Sequence, residues 1–393
     1  MAHTEVEGWI IGEHPPIAKN WNFRFHHAKG AADGYSTVSQ DMIECLAVRG
    51  WGIDMKAPVA VSYELPINDD RIYQLEHETH YKICYTMLET TKLPAKMADR
   101  LNRFNEIWTP SEHIKKMFKK NGVTAPIYAM PHGINPLVFL PIERKKRKPF
   151  KYFMYNAFGV DRKGWRELIE VFKEMRKENK NIELHLKTIY KNIPDGVTGE
   201  GITINSRVVF RNELARMAAD YDCFVFPSRG EGFGLPAIEM LATGMPVIVT
   251  NASGMTEYFD DAYMYGIGTK GQQPVKHPFI KGDVGTEFII DKEDLKRQMQ
   301  YVYDNYDEAL LKAQKGSEYI RTKFTYATFA DNMITRLKAA YAFLDKPIVD
   351  TEIMADTADP NAIWVINPKG KGVFVSRQFA HDKGWKDDEG KPY

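Results

Sequence analysis

The chain has 393 residues, enough for two domains of ordinary size that each bury a core. Its 44% hydrophobic and 27% charged residues exclude a disordered or fibrous chain. With 53 Lys and Arg against 52 Asp and Glu, the formal charge of +1 argues against a chain-wide electrostatic grip on nucleic acid or an anionic membrane.

The opening residues, MAHTEVEGWI, lack the basic-then-apolar pattern of a secretory signal, and no apolar run reaches the ~18 residues that span a bilayer. Cys45, Cys84 and Cys223 each sit in an apolar segment, as buried thiols of a reducing compartment do. A cytoplasmic protein without an integral membrane segment is expected.

From Tyr35 to Arg49, Val38, Met42, Cys45, Leu46 and Val48 recur at near-helical spacing, and Gly50 follows as a C-cap. WGIDMKAPVAVSYEL (51–65) returns to strand composition, and KICYTML (82–88) reads as a buried strand. EIWTPS (106–111) reads as a strand running into a helix over 111–122, capped by Ser111 and ended by Gly122. PIERKKRKPF (141–150) breaks the pattern: prolines bound it, it has no apolar face, and Arg144 to Lys148 are all basic. It is read as an interdomain linker, a solvated charge run in preference to an anion-binding strip.

A second alternating set follows. Strands are read at KYFMYNAF (151–158), NIELHLKTIY (181–190), VVFRN (208–212), CFVFPS (223–228) and MPVIVTN (245–251). The helices between them are GWRELIEVFKEMRKE (164–178), ELARMAAD (213–220) and LPAIEMLATG (235–244). A helical portion over 292–344 and a polar tail with one hairpin, AIWVINPKGKGVFVS (362–376), close the chain. Short buried strands alternating with amphipathic helices imply an α/β protein with parallel sheets. Two such domains are expected, 1–140 and 151–330, joined by 141–150 and followed by a C-terminal helix and tail over 331–393.

The chemistry concentrates in FPSRGEGFGLPAIEMLATGMPVIVTNASG (226–254). A buried strand runs into a loop with Gly230, Gly232 and Gly234, and a helix follows with Pro236 in its first turn. Ligands of open α/β sheets bind at this end of the strands, where free N–H groups and the helix dipole favour an anion. Glu231 in the loop and Glu239 on the helix would repel a diphosphate. Both are therefore read as acceptors for the hydroxyl groups that flank one, as the sugar and ribose of a nucleotide sugar do.

EGFGLPAIE (231–239) is very similar to the Glu-x7-Glu signature of retaining GT-B glycosyltransferases, and its flanks agree for over thirty residues. FGVDRKGW (158–165) resembles the family's lysine-glycine loop. WTPSEHIKKMF (108–118) and MPHGIN (130–135) resemble the end of its N-terminal domain, and DGYSTVSQDMIECLAVRGW (33–51) its first loop and helix. The resemblance implies a GT-B fold of two Rossmann-like domains, with a nucleoside-diphosphate sugar on the C-terminal one and no cofactor or metal. It implies that Glu231 contacts the transferred sugar, that Glu239 holds the ribose and that Lys163 neutralises the diphosphate. The loop from Gly232 through Phe233 and Gly234 to Leu235 would meet the sugar and diphosphate. Gly34 lies in the first N-domain loop.

The chain also departs from the family pattern. The arginine that usually precedes the lysine by some six residues is replaced by Ala157 or Phe158. Arg162 or Lys187 is then expected to supply the missing charge, with Lys187 favoured because strand carboxyl ends face the cleft. Leu88 and Glu89 stand where the family often has an N-domain histidine, which makes Glu89 a candidate to orient the acceptor or act as a base. His132 precedes the linker and is placed near the cleft.

Weaker patterns are set aside. GIGTKG (266–271) spells a glycine fingerprint but is read as a loop. HETH (77–80) has no third ligand to make a metal site with His77 and His80, and His26-His27 reads as polar surface. Asp69-Asp70 and Asp260-Asp261 read as turns. The Asn251–Ser253 sequon is one by spelling only. Function is read as retaining transfer of a sugar to a glycan, a lipid-linked sugar or a modified nucleic acid base. A hydroxymethylated base of phage-type DNA and nucleotide-sugar epimerisation stand as alternatives. Residues 1–140 carry 15 Lys and Arg against 16 Asp and Glu, unlike a duplex-binding face, although Lys115, Lys116, Lys119 and Lys120 keep that acceptor open.

Overall fold

A computed structural model of the chain describes residues 4–6, 9–11, 21–27, 34–65, 72, 75, 79–158, 160–277, 280–344, 362–366 and 372–376. Two short strands, β1 (Thr4–Val6) and β2 (Trp9–Ile11), pair antiparallel. The first large sheet comprises β3 (Asn22–His27), β4 (Gly52–Ile53), β5 (Val59–Tyr63), β6 (Tyr81–Tyr85), β7 (Glu106–Thr109) and β8 (Ile127–Ala129). Its strands lie in the order β4-β3-β5-β6-β7-β8 and all run parallel. Every residue of β5 and β7 is buried, as expected of parallel strands covered on both faces.

One of those residues is charged. Glu106 takes hydrogen bonds from Trp108 Nε1 at 2.7 Å and Tyr81 OH at 3.2 Å and pairs with Arg336, so its charge is not left alone. Helices α1 (Gly34–Val48), α2 (Ala95–Leu101) and α3 (Glu112–Lys120) belong to this half. Ser111 caps α3 by accepting from Ile114 N, and Gly50 and Gly122 both take positive φ just beyond their helices.

The second sheet comprises β9 (Phe150–Tyr155), β10 (Ile182–Lys187), β11 (Ile202–Asn205), β12 (Cys223–Phe226), β13 (Val247–Thr250) and β14 (Tyr265–Ile267). Its order is β11-β10-β9-β12-β13-β14, again all parallel. Between the strands run α4 (Trp165–Glu178), α5 (Arg211–Met217) and α6 (Leu235–Ala242). The three cysteines are buried free thiols.

Two structural features tie the halves together. A ribbon of β15 (Thr269–Pro274) and β16 (Thr286–Ile290) leaves the second half and reaches the first. There Lys92 N donates to Val284 O and Thr91 N to Thr286 O, each at 3.1 Å, while Ile280 and Val284 enter the first core. Helices α7 (Lys292–Asp304) and α8 (Tyr306–Lys323) pack on the second half, and α9 (Tyr326–Leu344) returns to the first. There Tyr326, Phe329, Ala330, Met333, Leu337 and Ala340 are buried, and Tyr341 meets Trp21 edge-on at 5.2 Å. The hairpin read at 362–376 pairs as β17 (Ala362–Ile366) and β18 (Gly372–Ser376). Among the described residues no helix is long and apolar enough to cross a membrane.

Two expectations are corrected, and a third holds in part. VVFRN is not a strand: Ile202–Asn205 takes the edge beside β10, leaving Val208 and Phe210 exposed and Arg211 starting a helix. GIGTKG is not a loop, because β14 ends at Ile267 and β15 begins at Thr269. The basic strip is largely the solvated run expected, with Lys145 to Lys148 exposed, but Arg144 at its head is tied down. Arg144 donates to Tyr221 O at 2.6 Å, Ala218 O at 2.9 Å and Thr243 Oγ at 3.0 Å, and Arg147 lies 3.5 Å from buried Asp222. Carbonyls exposed at the ends of the second half's helices accept these guanidinium donors, a demand that local composition does not reveal.

Candidate active site

The loop after β12 sits where the two halves meet. Each of its glycines faces a neighbour that leaves no space for a side chain. A Cβ on Gly230 would lie 2.2 Å from Glu89 O, and one on Gly232 would lie 2.3 Å from Met87 Sδ. Ser111, the cap of α3, donates to Gly232 O at 2.8 Å, and Ser253 Oγ accepts from Glu231 N at 3.0 Å. Gly234 adopts φ +89° as it enters α6. Leu235 opens that helix and packs against both cores.

The lysine-glycine loop packs underneath. The chain turns after β9 with positive φ at Asn156 and Phe158, and a 3-10 turn, Asp161–Lys163, carries the cations. Gly164, at φ +73°, approaches so closely that a Cβ there would meet Pro227 O at 1.9 Å. Lys163 Nζ thereby reaches Glu231 Oε1 at 2.7 Å and lies 5.3 Å from the Phe226 ring. Arg162 lies 2.9 Å from the same carboxylate, donates to Gly230 O at 2.6 Å, and crosses to Glu89 of the first half at 2.7 Å. Ser228 Oγ donates to Glu231 Oε1 at 2.7 Å.

Burial opposes the ionised form of Glu231, but Arg162 and Lys163 outweigh it and hold its pKa down at about 2. Burial likewise pulls the Lys163 pKa below its usual value, with Glu231 opposing. The four side chains Glu89, Arg162, Lys163 and Glu231 thus form a cluster of two cations and two carboxylates, with Glu231 buried and the others partly buried.

Lys187 is not part of it. Its Nζ donates to Thr188 O at 2.7 Å, so Arg162, rather than the favoured Lys187, stands beside Lys163. The reason is the 3-10 turn, which points both of its basic residues at the glycine loop.

Glu239 is buried one turn into α6 and takes a hydrogen bond from Tyr155 OH and an ion pair from Arg211. Arg211 also pairs with Asp41 of α1, which Tyr326 OH bonds as well. Sequence reading missed Asp41, Arg211 and Tyr326. No local motif marks them, because 170 and 285 residues separate Asp41 from its partners.

His132 is buried in the cleft, its ring edge-on to Phe233 at 5.2 Å. Tyr85 OH gives its single hydrogen to Met130 O at 2.6 Å, so His132 Nδ1, 2.9 Å from the same oxygen, is the donor. Burial, aided by Arg211, pushes the His132 pKa down to about 3. The unfolded chain therefore binds a proton that the folded chain refuses, and stability falls as pH drops below 6.5. Between about pH 6.5 and 4.5, His132→Asn is expected to flatten the urea-measured stability profile by about 1.4 kcal/mol per pH unit. An unchanged slope would show that His132 titrates normally.

The remaining candidates lie elsewhere. Gly34 is the first residue of α1. His26 is buried in β3 rather than on the surface, and His80 is exposed, while His77 and Asp69-Asp70 fall outside the described residues. Asp260 closes a turn by accepting from Ala262 N at 2.7 Å.

Two facing Rossmann-like sheets, with a glycine loop at the carboxyl end of β12, make this a GT-B fold. Residues 140–273 match the family described as glycosyl transferases group 1. It is similar to a protein named as a glycosyltransferase from Sulfolobus islandicus filamentous virus, 26% identical over 42% of this chain and 48% of that protein. An MMP α-(1→4)-mannosyltransferase of Mycolicibacterium hassiacum is 29% identical over 33% of each chain. The matches thus span half or less of these relatives. The structure of a sucrose-phosphate synthase from Thermosynechococcus elongatus superposes with a TM-score of 0.65, covering 82% of this chain and all of that one. At 14% identity it supports the fold alone.

Proposed function

We propose that the chain is a retaining glycosyltransferase that moves a sugar from a nucleoside-diphosphate sugar to a hydroxyl acceptor. The observation that carries this reading is the partly buried cluster of Arg162, Lys163 and Glu231 beside the N-terminus of α6. Two cations and a helix dipole meet there, where a departing diphosphate would need them. On donor binding the cations turn to the diphosphate. Glu231 is then released toward the sugar hydroxyls and Glu89 toward the acceptor hydroxyl, while Glu239 accepts from the ribose.

As the bond from the anomeric carbon to the diphosphate breaks, its electron pair stays with the phosphate oxygen. The acceptor oxygen bonds to that carbon from the same face, and its proton passes to the phosphate. Arg162 and Lys163 supply the charge that a divalent metal would otherwise supply, so we propose a metal-independent reaction in the cytoplasm.

The test is release of nucleoside diphosphate from UDP-, GDP- and ADP-sugars, with glycans, lipid-linked sugars and hydroxymethylated DNA as acceptors. Product anomers are read by NMR coupling constants. Release with retained configuration is expected, and EDTA is expected to leave the rate within twofold. An inverted product would overturn retention, complete loss in EDTA would overturn metal independence, and no release from any donor would overturn the reading.

A further inference from the structure

The Arg211 network joins the proposed ribose carboxylate to the opposite half of the molecule. Arg211 is the first residue of α5 in the second half, and its guanidinium is shared. One arm holds Glu239, and the other holds Asp41 on α1, the helix that packs against α9 in the first half. Tyr326 OH of α9 bonds Asp41 and lies 3.2 Å from the Arg211 arm that holds it, and Tyr155 OH bonds the far oxygen of Glu239. Asp41 and Glu239 are each 4% exposed and the Arg211 side chain between them 24%, so the geometry of the two carboxylates is fixed by these partners.

A planar guanidinium can engage one carboxylate with two parallel bonds or divide itself between two. Here Asp41 claims one arm, so Arg211 leaves lone pairs of Glu239 open. Without that claim both arms would close on Glu239 and occupy the acceptor positions that ribose hydroxyls require.

Resting on the proposal that Glu239 holds the ribose, we infer that Asp41 is a positioning residue for the donor. By restraining Arg211 from across the cleft, it keeps Glu239 open to the ribose hydroxyls. Recognition of the ribose is then coupled to closure of the two halves, since Asp41 and Glu239 stand on opposite sides of the cleft.

The experiment is calorimetric titration of the full-length protein with UDP, GDP and ADP, each beside its 2′,3′-dideoxy counterpart. Wild type is expected to bind one ribonucleotide at least tenfold more tightly than its dideoxy form. Asp41→Asn is expected to reduce that ratio below threefold, chiefly by weakening the ribonucleotide. Tyr326→Phe, which loosens Asp41 without changing charge, is expected to move the ratio the same way by a smaller factor. Equal weakening of both nucleotides by Asp41→Asn, or a ratio that stays at tenfold, would overturn the inference and leave Asp41 a structural residue. A wild type that binds ribo and dideoxy forms alike would instead overturn the ribose role of Glu239, and with it the inference. A wild type that binds no nucleotide would overturn the donor reading itself.

Discussion

Lys163→Ala is expected to lower turnover at saturating donor by roughly 10²- to 10³-fold, about 3–4 kcal/mol of transition-state stabilisation. Charge on the leaving diphosphate grows toward the transition state, and Lys163 is one of the two partly buried cations proposed to meet it. Its loss also leaves Glu231 with only Arg162 and Ser228 as side-chain partners, so a stability cost of about 1–3 kcal/mol is expected as well. Lys163→Met, which keeps most of the stem, separates the two effects: its melting temperature should recover further than its turnover. Near-normal turnover in either variant at saturating donor would remove Lys163 from the leaving-group site.

Glu231 and Glu239 are expected to fail differently. Glu231→Gln is expected to lower kcat by roughly 10²-fold, because the carboxylate lies against both cations and is proposed to face the reacting sugar. Glu239→Gln is expected to act mainly on donor KM, raising it by roughly tenfold, since ribose hydroxyls do not change between ground and transition state. Glutamine rather than alanine is the substitution of choice at Glu239, where truncation would strip Arg211 and Tyr155 of a buried partner. A Glu231→Gln enzyme with intact kcat beside a Glu239→Gln enzyme inactive at saturating donor would exchange the sugar and ribose ends of the site.

Much of the second half was legible because its signals are local. CFVF and VIVT are short apolar runs bounded by glycine and proline, and the strand-loop-helix through Gly230 to Gly234 follows from residue types in sequence. The same loop announced Glu231 and Glu239. What stayed hidden depends on contacts far apart in the chain. Lys187 looked suitable by strand position, yet the side chain that reaches Glu231 is decided by a 3-10 turn held against Pro227. VVFRN has strand composition, but Ile202–Asn205 won the sheet edge. Arg144 reads as one of five surface charges until the backbone carbonyls of Ala218 and Tyr221 appear beside it. Asp41 lies in a plain amphipathic helix, and only the fold brings it to Arg211.

The return of α9 bears on how the polypeptide is made. The first core includes Phe329, Met333, Leu337 and Ala340, residues that leave the ribosome some two hundred positions after β8 completes its sheet. At 5–20 residues per second that interval is on the order of 10–40 s, during which the apolar side of α1 and the neighbouring strands lacks its cover. The second half has all its strands and α8 before α9 is synthesised. Biogenesis therefore runs out of linear order: the half translated first is the last to be finished, and it is the nascent segment with most need of a chaperone.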